Sequence, residues 1–405
     1  MGAKKRIVGE LALIAAGIVA AFFIAEIGLR IVAPRPNFYV YDAHCGWALN
    51  PGVAGWERQE GKAWVAINRE GFRGPEVAVK KPPNTIRIAV LGDSFTEAQQ
   101  VPMRDTFCAV MRRELSNCGA FAGKKIQVLD FGVDGYGTAQ ELITLKRQVW
   151  KFHPDVVVLA FFSGNDVRNN SVALEGDKCR PFFVYRGGEL TLGGPFSRSR
   201  WFRFHCMMRF ESRHSYVLNR IGSGWSVARE WWRKRRADPP APAKIHLESL
   251  HEPGISDLIY RRPVTPVWRD AWRVTDGEIV RMYQEVRRHR ASFILVTLSN
   301  PIQVNPSRRI RAGYMRFVGV SDLFYPERHL RKLGGKEGFP VLNLAPAMQA
   351  YADRTQVFLH GFRNTKPGTG HWNAAGHHLA GKYIAGTICG LIKGKGFHNT
   401  VLSAK

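Results

Sequence analysis

Short apolar runs alternate with longer helix-compatible segments along most of this chain. Five runs rich in β-branched residues are each followed by a polar turn, and they span residues 86–91, 126–131, 156–162, 293–298 and 341–344. Runs that are apolar at nearly every position predict strands of a parallel sheet that is covered by helices on both faces. We therefore predict a doubly wound α/β fold of three layers, α/β/α, with a central five-stranded parallel sheet and functional residues at the carboxyl ends of its strands.

The first segment is apolar without alternation. Basic residues at positions 4–6 precede a mostly apolar run over residues 11–25. A positive flank before one apolar helix places the N-terminus in the cytoplasm and the remainder outside. This run is shorter than the roughly 20 residues that a spanning helix needs. Residues 7–32 are long enough, but only if Glu10 and Glu26 lie near the membrane interfaces. We expect an uncleaved transmembrane helix; a cleaved signal peptide and a buried soluble helix are the alternatives.

Turn residues and segment lengths suggest how the chain is divided. We expect a cytoplasmic start and membrane anchor over residues 1–33, a strap of short strands and loops over residues 34–82, and the α/β domain over residues 83–395. Gly and Pro punctuate the strap, which favours packing on the domain over independent folding. An insertion at about residues 170–276 is far longer than an ordinary connection between strands.

The insertion mixes Arg and Lys with Trp and Phe, and the whole chain has a formal charge of +26. This charge favours anionic partners such as membrane surfaces, nucleic acid or acidic polymers. Basic and aromatic residues together are typical of a surface that rests on anionic headgroups, although a lid over a substrate or an ordinary solvated face would have a similar composition. The chain has no recognisable nucleic-acid-reading motif, so we predict no nucleic-acid partner.

The six cysteines have neither CxxC pairs nor zinc-ligand spacing. This argues against a metal ribbon and a thioredoxin-like motif, and we predict no metal and no cofactor. Outside the cytoplasm, Cys108 could pair with Cys118, and Cys179 with Cys206. Buried free thiols are the alternative.

A serine follows the first strand of the predicted sheet, in the sequence Gly92-Asp93-Ser94 before a helix-compatible segment. A serine at such a turn is exposed at the edge of the sheet, and the N-terminus of the helix supplies backbone N–H donors for developing negative charge. Ser94 is therefore a candidate nucleophile. A serine that only caps the helix is the alternative.

The next two strands also end in residues suited to stabilising an oxyanion. Gly135 follows the second strand in a glycine-rich loop, where its backbone N–H could approach a bound carbonyl. Asn165 follows the third strand, and its side-chain amide can donate a hydrogen bond without carrying charge. Asn165 could instead be an Asx-turn residue.

A histidine precedes the last predicted helix. His371 lies in the glycine-rich sequence Gly368-Thr369-Gly370-His371 and could reach a nucleophile as a general base. A metal site that uses His371 with His377 or His378 lacks the HExxH spacing.

Taken in order, these four motifs resemble those of the SGNH hydrolases, the GDSL esterases, over about residues 86–384 except the insertion. The resemblance implies the SGNH, flavodoxin-like version of the three-layer fold. It also implies that Ser94 is the nucleophile, that Ser94 N–H, Gly135 and Asn165 form the oxyanion hole, and that His371 is the base.

One position departs from that family. Its members usually have an aspartate two or three residues before the histidine, where this chain has Thr369 and Gly368. We therefore expect a Ser-His dyad in which the imidazole is oriented by a backbone carbonyl, by Thr369 Oγ or by a carboxylate from elsewhere in the chain. Asp353 is one such carboxylate.

The expected function is hydrolysis of acyl esters of a carbohydrate or lipid outside the cytoplasmic membrane, by a periplasmic domain on a single membrane helix. An O-acyltransferase of an envelope polysaccharide would use the same residues with a sugar hydroxyl as acceptor. A non-catalytic protein that binds glycan or anionic lipid is a further alternative, which the missing aspartate favours.

Overall fold

The computed structural model describes residues 2–32, 36–218, 252 and 254–394. The chain divides into two compact units, one of residues 1–37 and 201–245 and the other of residues 38–200 and 246–405.

The strands within the described residues are β1 (Tyr39–Asp42), β2 (Gly46–Leu49), β3 (Ala54–Glu57), β4 (Ala63–Ala66), β5 (Thr85–Gly92), β6 (Lys125–Gly132), β7 (Val156–Phe161), β8 (Phe182–Arg186), β9 (Glu189–Gly193), β10 (Ser292–Thr297) and β11 (Val341–Asn343).

The α-helices within the described residues are α1 (Gly2–Val32), α2 (Ser94–Glu97), α3 (Phe107–Ser116), α4 (Thr138–Arg147), α5 (Asp166–Asn169), α6 (Gly194–Arg198), α7 (Arg200–His214), α8 (Pro266–Arg288), α9 (Arg308–Val318), α10 (Tyr325–Glu337), α11 (Leu344–Thr355) and α12 (Ala374–Lys393).

The second unit is built on a five-stranded sheet in the order β11-β10-β7-β5-β6. All of its neighbouring strands are parallel. Every residue of β5, β7 and β10 is buried, which explains why these runs are apolar at nearly every position. The predicted five-stranded parallel sheet is confirmed, with every strand end within one residue of the predicted one.

Helices cover both faces of this sheet. Ala89 and Leu91 of β5 face a core formed with α4, α8, α9 and α10. Ile88 and Val90 face the opposite core, formed with α3, α11 and α12. Because successive side chains of a strand point to opposite faces, one strand supplies both cores. The predicted three-layer arrangement is therefore confirmed.

The segment before β5 forms two antiparallel hairpins, β1–β2 and β3–β4. Residues Leu49 and Val65 of these hairpins pack with Val133 and Tyr136, which follow β6. The buried Arg73 donates hydrogen bonds to three backbone carbonyl groups at and after the end of α2. The hairpins therefore pack at the edge of the sheet where the functional residues were predicted.

A disulfide joins Cys118, after α3, to Cys389 in α12. The possible pairing of Cys108 with Cys118 is wrong, because Cys118 is bonded to Cys389 and the Cys108 thiol is free and buried, as the alternative had it. The possible pairing of Cys179 with Cys206 stays a prediction.

In the first unit, residues Arg6–Val32 of α1 form a helix with a mean hydropathy of 2.5, long and apolar enough to cross a membrane. A signal sequence near the N-terminus has the same properties. The carboxylate of Glu26 accepts hydrogen bonds from the backbone N–H groups of Tyr216 and Val217, both at 3.0 Å. Much of the basic, aromatic insertion, residues 219–251, lies outside the described residues.

Candidate functional site

Ser94 and His371 are in direct contact. Ser94 is the first residue of α2, and the Oδ1 atom of the preceding Asp93 caps this short helix by accepting the N–H of Phe95 at 2.9 Å. The Oγ atom of Ser94 lies 2.8 Å from Nε2 of His371. The structure thus joins the predicted nucleophile and base by a hydrogen bond of the length expected for proton transfer.

His371 is held in the loop before α12. Asn373 caps that helix by accepting the N–H groups of Ala375 and Gly376, which fixes the end of the loop. Gly370 has a φ of +71°, and a Cβ atom there would lie 2.0 Å from an oxygen of Glu60. A glycine is therefore required at position 370, both for the backbone conformation and for the close approach of Glu60.

The imidazole contacts a carboxylate from the strap. Glu60 lies in the turn between β3 and β4, and its Oε1 accepts the backbone N–H of His371 at 2.8 Å. Its Oε2 forms a hydrogen bond with Nδ1 of the same imidazole. The carboxylate therefore fixes both the position of the residue and the tautomer in which Nε2 faces Ser94 without a proton.

The group that orients the imidazole is a carboxylate from elsewhere in the chain, which is one of the three possibilities expected for it. Thr369 does not orient the imidazole, because its hydroxyl donates to the carbonyl oxygen of Lys366 at 2.7 Å. Asp353 is paired with Arg311 at 2.7 Å. Glu60 was missed because no spacing rule connects it with the histidine, from which it is 311 residues away. A carboxylate from elsewhere in the chain was expected, but Glu60 was not identified as that residue.

The carboxylate and the imidazole shift each other's pKa. Burial by itself would lower the pKa of His371, but the hydrogen bond and the negative charge of Glu60 more than offset this and raise it above its usual range. Burial by itself would raise the pKa of Glu60, and the contacts with His371 instead lower it. The pair thus favours an ionised Glu60 that stabilises a positive charge on His371.

The loop after β6 holds Gly135 in a tight turn. The N–H of Tyr136 donates to the carbonyl of Val133 at 3.1 Å, and Gly135 has a φ of +73°. The indole N–H of Trp47 donates to the carbonyl oxygen of Asp134 at 2.9 Å. Since this carbonyl and the N–H of Gly135 belong to one planar trans peptide, the N–H points away from Trp47.

Two buried polar side chains brace the same turn. Oε2 of Glu97 accepts the N–H of Asp134 at 2.6 Å and the hydroxyl of Tyr39 at 3.1 Å. The guanidinium of Arg180 donates to the carbonyl oxygen of Gly135 at 2.7 Å. The backbone around the predicted oxyanion donor is therefore held on several sides.

Asn165 follows β7 and contacts Asp93. Its Nδ2 donates to Oδ2 of Asp93 at 3.1 Å, which leaves the second amide hydrogen available to a ligand. Burial raises the pKa of Asp93 to about 6, although the Phe95 N–H and the Asn165 amide act in the opposite direction. Asp93 directly precedes Ser94 in the sequence, and its carboxylate therefore orients the Asn165 amide beside the serine.

Two further histidines near the site have structural contacts. His360 forms hydrogen bonds to the carbonyl oxygen of Gly370 at 2.8 Å and to Ser299 Oγ at 3.2 Å. His377 accepts the N–H of Phe107 at 3.3 Å. Across the described ranges, no group of three or more His, Cys, Asp or Glu side chains is arranged to hold a metal ion.

No known family model matches this chain, and no curated protein matches it. Among solved structures, it is similar to the acetyl xylan esterase AlAXEase, with 12% identity and a TM-score of 0.36 over 75% of this chain and 100% of that one. The lipase/acylhydrolase from Enterococcus faecalis gives 16% identity and a TM-score of 0.35 over 75% and 96%. A catalytic mutant of an acetylxylan esterase from Geobacillus stearothermophilus gives 12% identity and a TM-score of 0.36 over 76% and 94%.

Proposed function

We propose that this protein is a serine esterase of the SGNH type that cleaves acyl esters through a triad of Ser94, His371 and Glu60. The observation that carries the proposal is the continuous hydrogen-bonded chain from Ser94 Oγ to His371 Nε2 and from His371 Nδ1 to the Glu60 carboxylate. A nucleophile, a base and a group that orients the base are the parts that acyl transfer requires.

The reaction begins when Ser94 Oγ attacks the acyl carbonyl carbon and His371 Nε2 accepts the hydroxyl proton. The bond from carbonyl carbon to alkoxy oxygen then breaks, and His371 returns the proton to the leaving alcohol. In the second half, water attacks the acyl-serine while His371 accepts a proton from it. The bond from carbonyl carbon to Ser94 Oγ then breaks, and His371 returns the proton to Ser94 Oγ as the carboxylic acid leaves. Glu60 stabilises the imidazolium in both halves because it remains ionised beside Nδ1.

Three donors would hold the oxyanion. The N–H of Ser94 has no intrahelical acceptor because it is at the first position of α2. The Gly135 peptide is held by Trp47, and the Asn165 amide is held by Asp93. Preorganised donors of this kind usually contribute a large part of the rate enhancement.

The proposed location is outside the cytoplasmic membrane, with α1 as the anchor. The Cys118–Cys389 disulfide supports this, since disulfides persist in oxidising compartments and are rare in the cytosol. The proposed substrates are acylated carbohydrates or lipid esters. If a sugar hydroxyl replaces water in the second half-reaction, the same residues make the protein an O-acyltransferase.

The first test is hydrolysis of an aryl acetate by the full chain in detergent. Ser94→Ala and His371→Ala should each lower kcat by at least about 10³-fold, because the triad acts as a unit. Ser116→Ala and His378→Ala are matched controls, since both residues are exposed. Turnover that survives Ser94→Ala would contradict Ser94 as the nucleophile. A parent protein without turnover and without labelling by a serine-directed phosphonate would contradict the esterase and favour a non-catalytic binding protein.

A further inference from the structure

The hairpin that carries Glu60 has a second, outward face. Trp56 of β3 lies directly opposite Trp64 of β4, and their rings meet edge to face with centroids 5.7 Å apart. Neighbouring residues Ala63 and Val65 point inward and are buried. The two indoles are 45% and 52% exposed, although tryptophan is among the residues that proteins bury most extensively.

A cross-strand aromatic pair stabilises a hairpin, but this role does not require half of each indole to face water. Exposed aromatic surface beside a functional site is a common sign of ligand binding. Indoles present a flat apolar face and a polar N–H, which suits ligands that have both apolar and polar edges. A pyranose ring is such a ligand, because its C–H faces are apolar and its rim carries hydroxyl groups.

Two cations lie over the ring of Trp56. The side chains of Arg58 and Lys62 are exposed and lie 5.6 and 5.4 Å from the ring centroid of Trp56. The neighbouring Glu57 caps the turn, because its Oε1 accepts the backbone N–H groups of Arg58 and Gln59. The outward surface of the hairpin tip is therefore both aromatic and positively charged.

A second loop adds two more positive charges. Asn364 is bound to the hairpin tip, because its Oδ1 accepts the N–H of Gly61 at 2.9 Å and its Nδ2 donates to the carbonyls of Gly61 and Arg58 at 3.1 and 3.2 Å. This loop exposes Arg363 and Lys366. The loop and the tip thus form one fixed basic rim.

The rim lies next to the proposed triad. Glu60 is two residues from both Arg58 and Lys62, and it points inward to His371 while they point outward. The side chains of Glu60 and His371 are 20% and 24% exposed, so the site opens to solvent at this tip. A polymer that brings an ester to Ser94 would contact the rim.

We propose that the β3–β4 hairpin and the loop of residues 361–367 form a binding subsite for an anionic polysaccharide with carboxylate-bearing sugars. Trp64 stacks on a sugar ring, and Arg58, Lys62, Arg363 and Lys366 attract the carboxylates. The inference that this polymer is the acylated substrate rests on the esterase function proposed above. The inference that the protein binds the polymer does not.

The binding test uses full-chain Ser94→Ala protein in detergent, titrated with O-acetylated polygalacturonate and with neutral O-acetylated xylan. The protein should bind the anionic polymer at least tenfold more tightly, and high salt should weaken this binding. Trp64→Ala should weaken it about tenfold or more, and Trp64→Tyr should restore most of it. Arg58→Ala/Lys62→Ala should remove much of the salt dependence.

Matched controls are Trp201→Ala, which removes another exposed tryptophan, and the exposed pair Arg331→Ala/Lys332→Ala. Neither should change binding. Equal affinity for both polymers, no effect of Trp64→Ala, or binding only to phosphatidylglycerol vesicles would overturn the subsite.

The turnover test separates this proposal from the esterase. In protein with Ser94 intact, Trp64→Ala should raise KM for the acetylated anionic polymer about tenfold with kcat little changed, and aryl acetate hydrolysis should stay within about twofold. The aryl acetate result also verifies that Glu60 is still in place. Polymer binding without any Ser94-dependent turnover would contradict the esterase alone.

Discussion

Glu60 and His371 are separated by 311 residues in the chain and form two hydrogen bonds with each other, one through the imidazole Nδ1 and one through the backbone N–H. The strap therefore belongs to the site as fully as the sheet does. A carboxylate in this position fixes the imidazole tautomer and stabilises its protonated form.

Replacement of that carboxylate should damage catalysis while leaving the fold intact. We expect Glu60→Gln to lower kcat by about 10²–10⁴-fold, because the new amide can donate to Nδ1 and hold the wrong tautomer. Steady-state hydrolysis of an aryl acetate measures the loss, and Glu189→Gln, on an exposed position, is the control. A Glu60→Gln protein with full activity would reduce the triad to the dyad.

The pH profile of kcat/KM should report the same contact. The base must be neutral to accept a proton, so activity rises as the pH passes the pKa of His371. Glu60 raises that pKa, and its replacement by Gln should move the acid limb to lower pH. The measurement is the residual activity of Glu60→Gln between about pH 5 and 8, the range in which histidine usually titrates. An unmoved limb would mean that Glu60 does not control this proton.

Gly370 should tolerate no side chain. In Gly370→Ala the added Cβ would lie 2.0 Å from Glu60 Oε1, in a backbone conformation with positive φ. We expect a loss of stability of about 1–3 kcal/mol together with a fall in kcat, because Glu60 must move. Thermal unfolding and kinetics measure both effects. The matched control is Gly386→Ala, at an open position within α12.

Trp47 should act by positioning the oxyanion donor. Trp47→Phe keeps an aromatic ring but removes the N–H that holds the carbonyl of Asp134. We expect kcat to fall about tenfold with little change in KM, because the peptide matters most when negative charge develops. Trp150→Phe is the control, since the buried indole N–H of Trp150 has no hydrogen-bond partner within the described residues. A change in KM alone, with kcat preserved, would contradict this role.

The disulfide should stabilise the helix that follows His371. Cys118→Ser/Cys389→Ser should cost about 2–5 kcal/mol of unfolding free energy, measured by denaturant unfolding in the absence of reductant. The control is Cys108→Ser, which replaces a buried cysteine that is not in a disulfide. Equal stability of the double variant and the parent under these conditions would show that the bond contributes nothing.

Local patterns were enough to predict the sheet and three of its strand ends. The β-branched runs of β5, β6 and β7 are apolar because both faces of each strand are covered, and the residues that follow each run must emerge at one edge. Ser94, Gly135 and Asn165 follow from this reasoning. His371 was predicted from a different local signal, the glycine-rich sequence before a helix.

The partners of these residues required the tertiary structure. Glu60, Trp47 and Cys389 each meet a residue at least 87 positions away, and their own neighbours in the sequence do not indicate the contact. The sequence by itself determined the layered sheet and where its strand ends lie, because side-chain periodicity and turn residues act over a few positions. Only the folded chain decided which carboxylate orients His371 and which indole holds the Gly135 peptide, because those contacts depend on how the strap packs against the completed sheet.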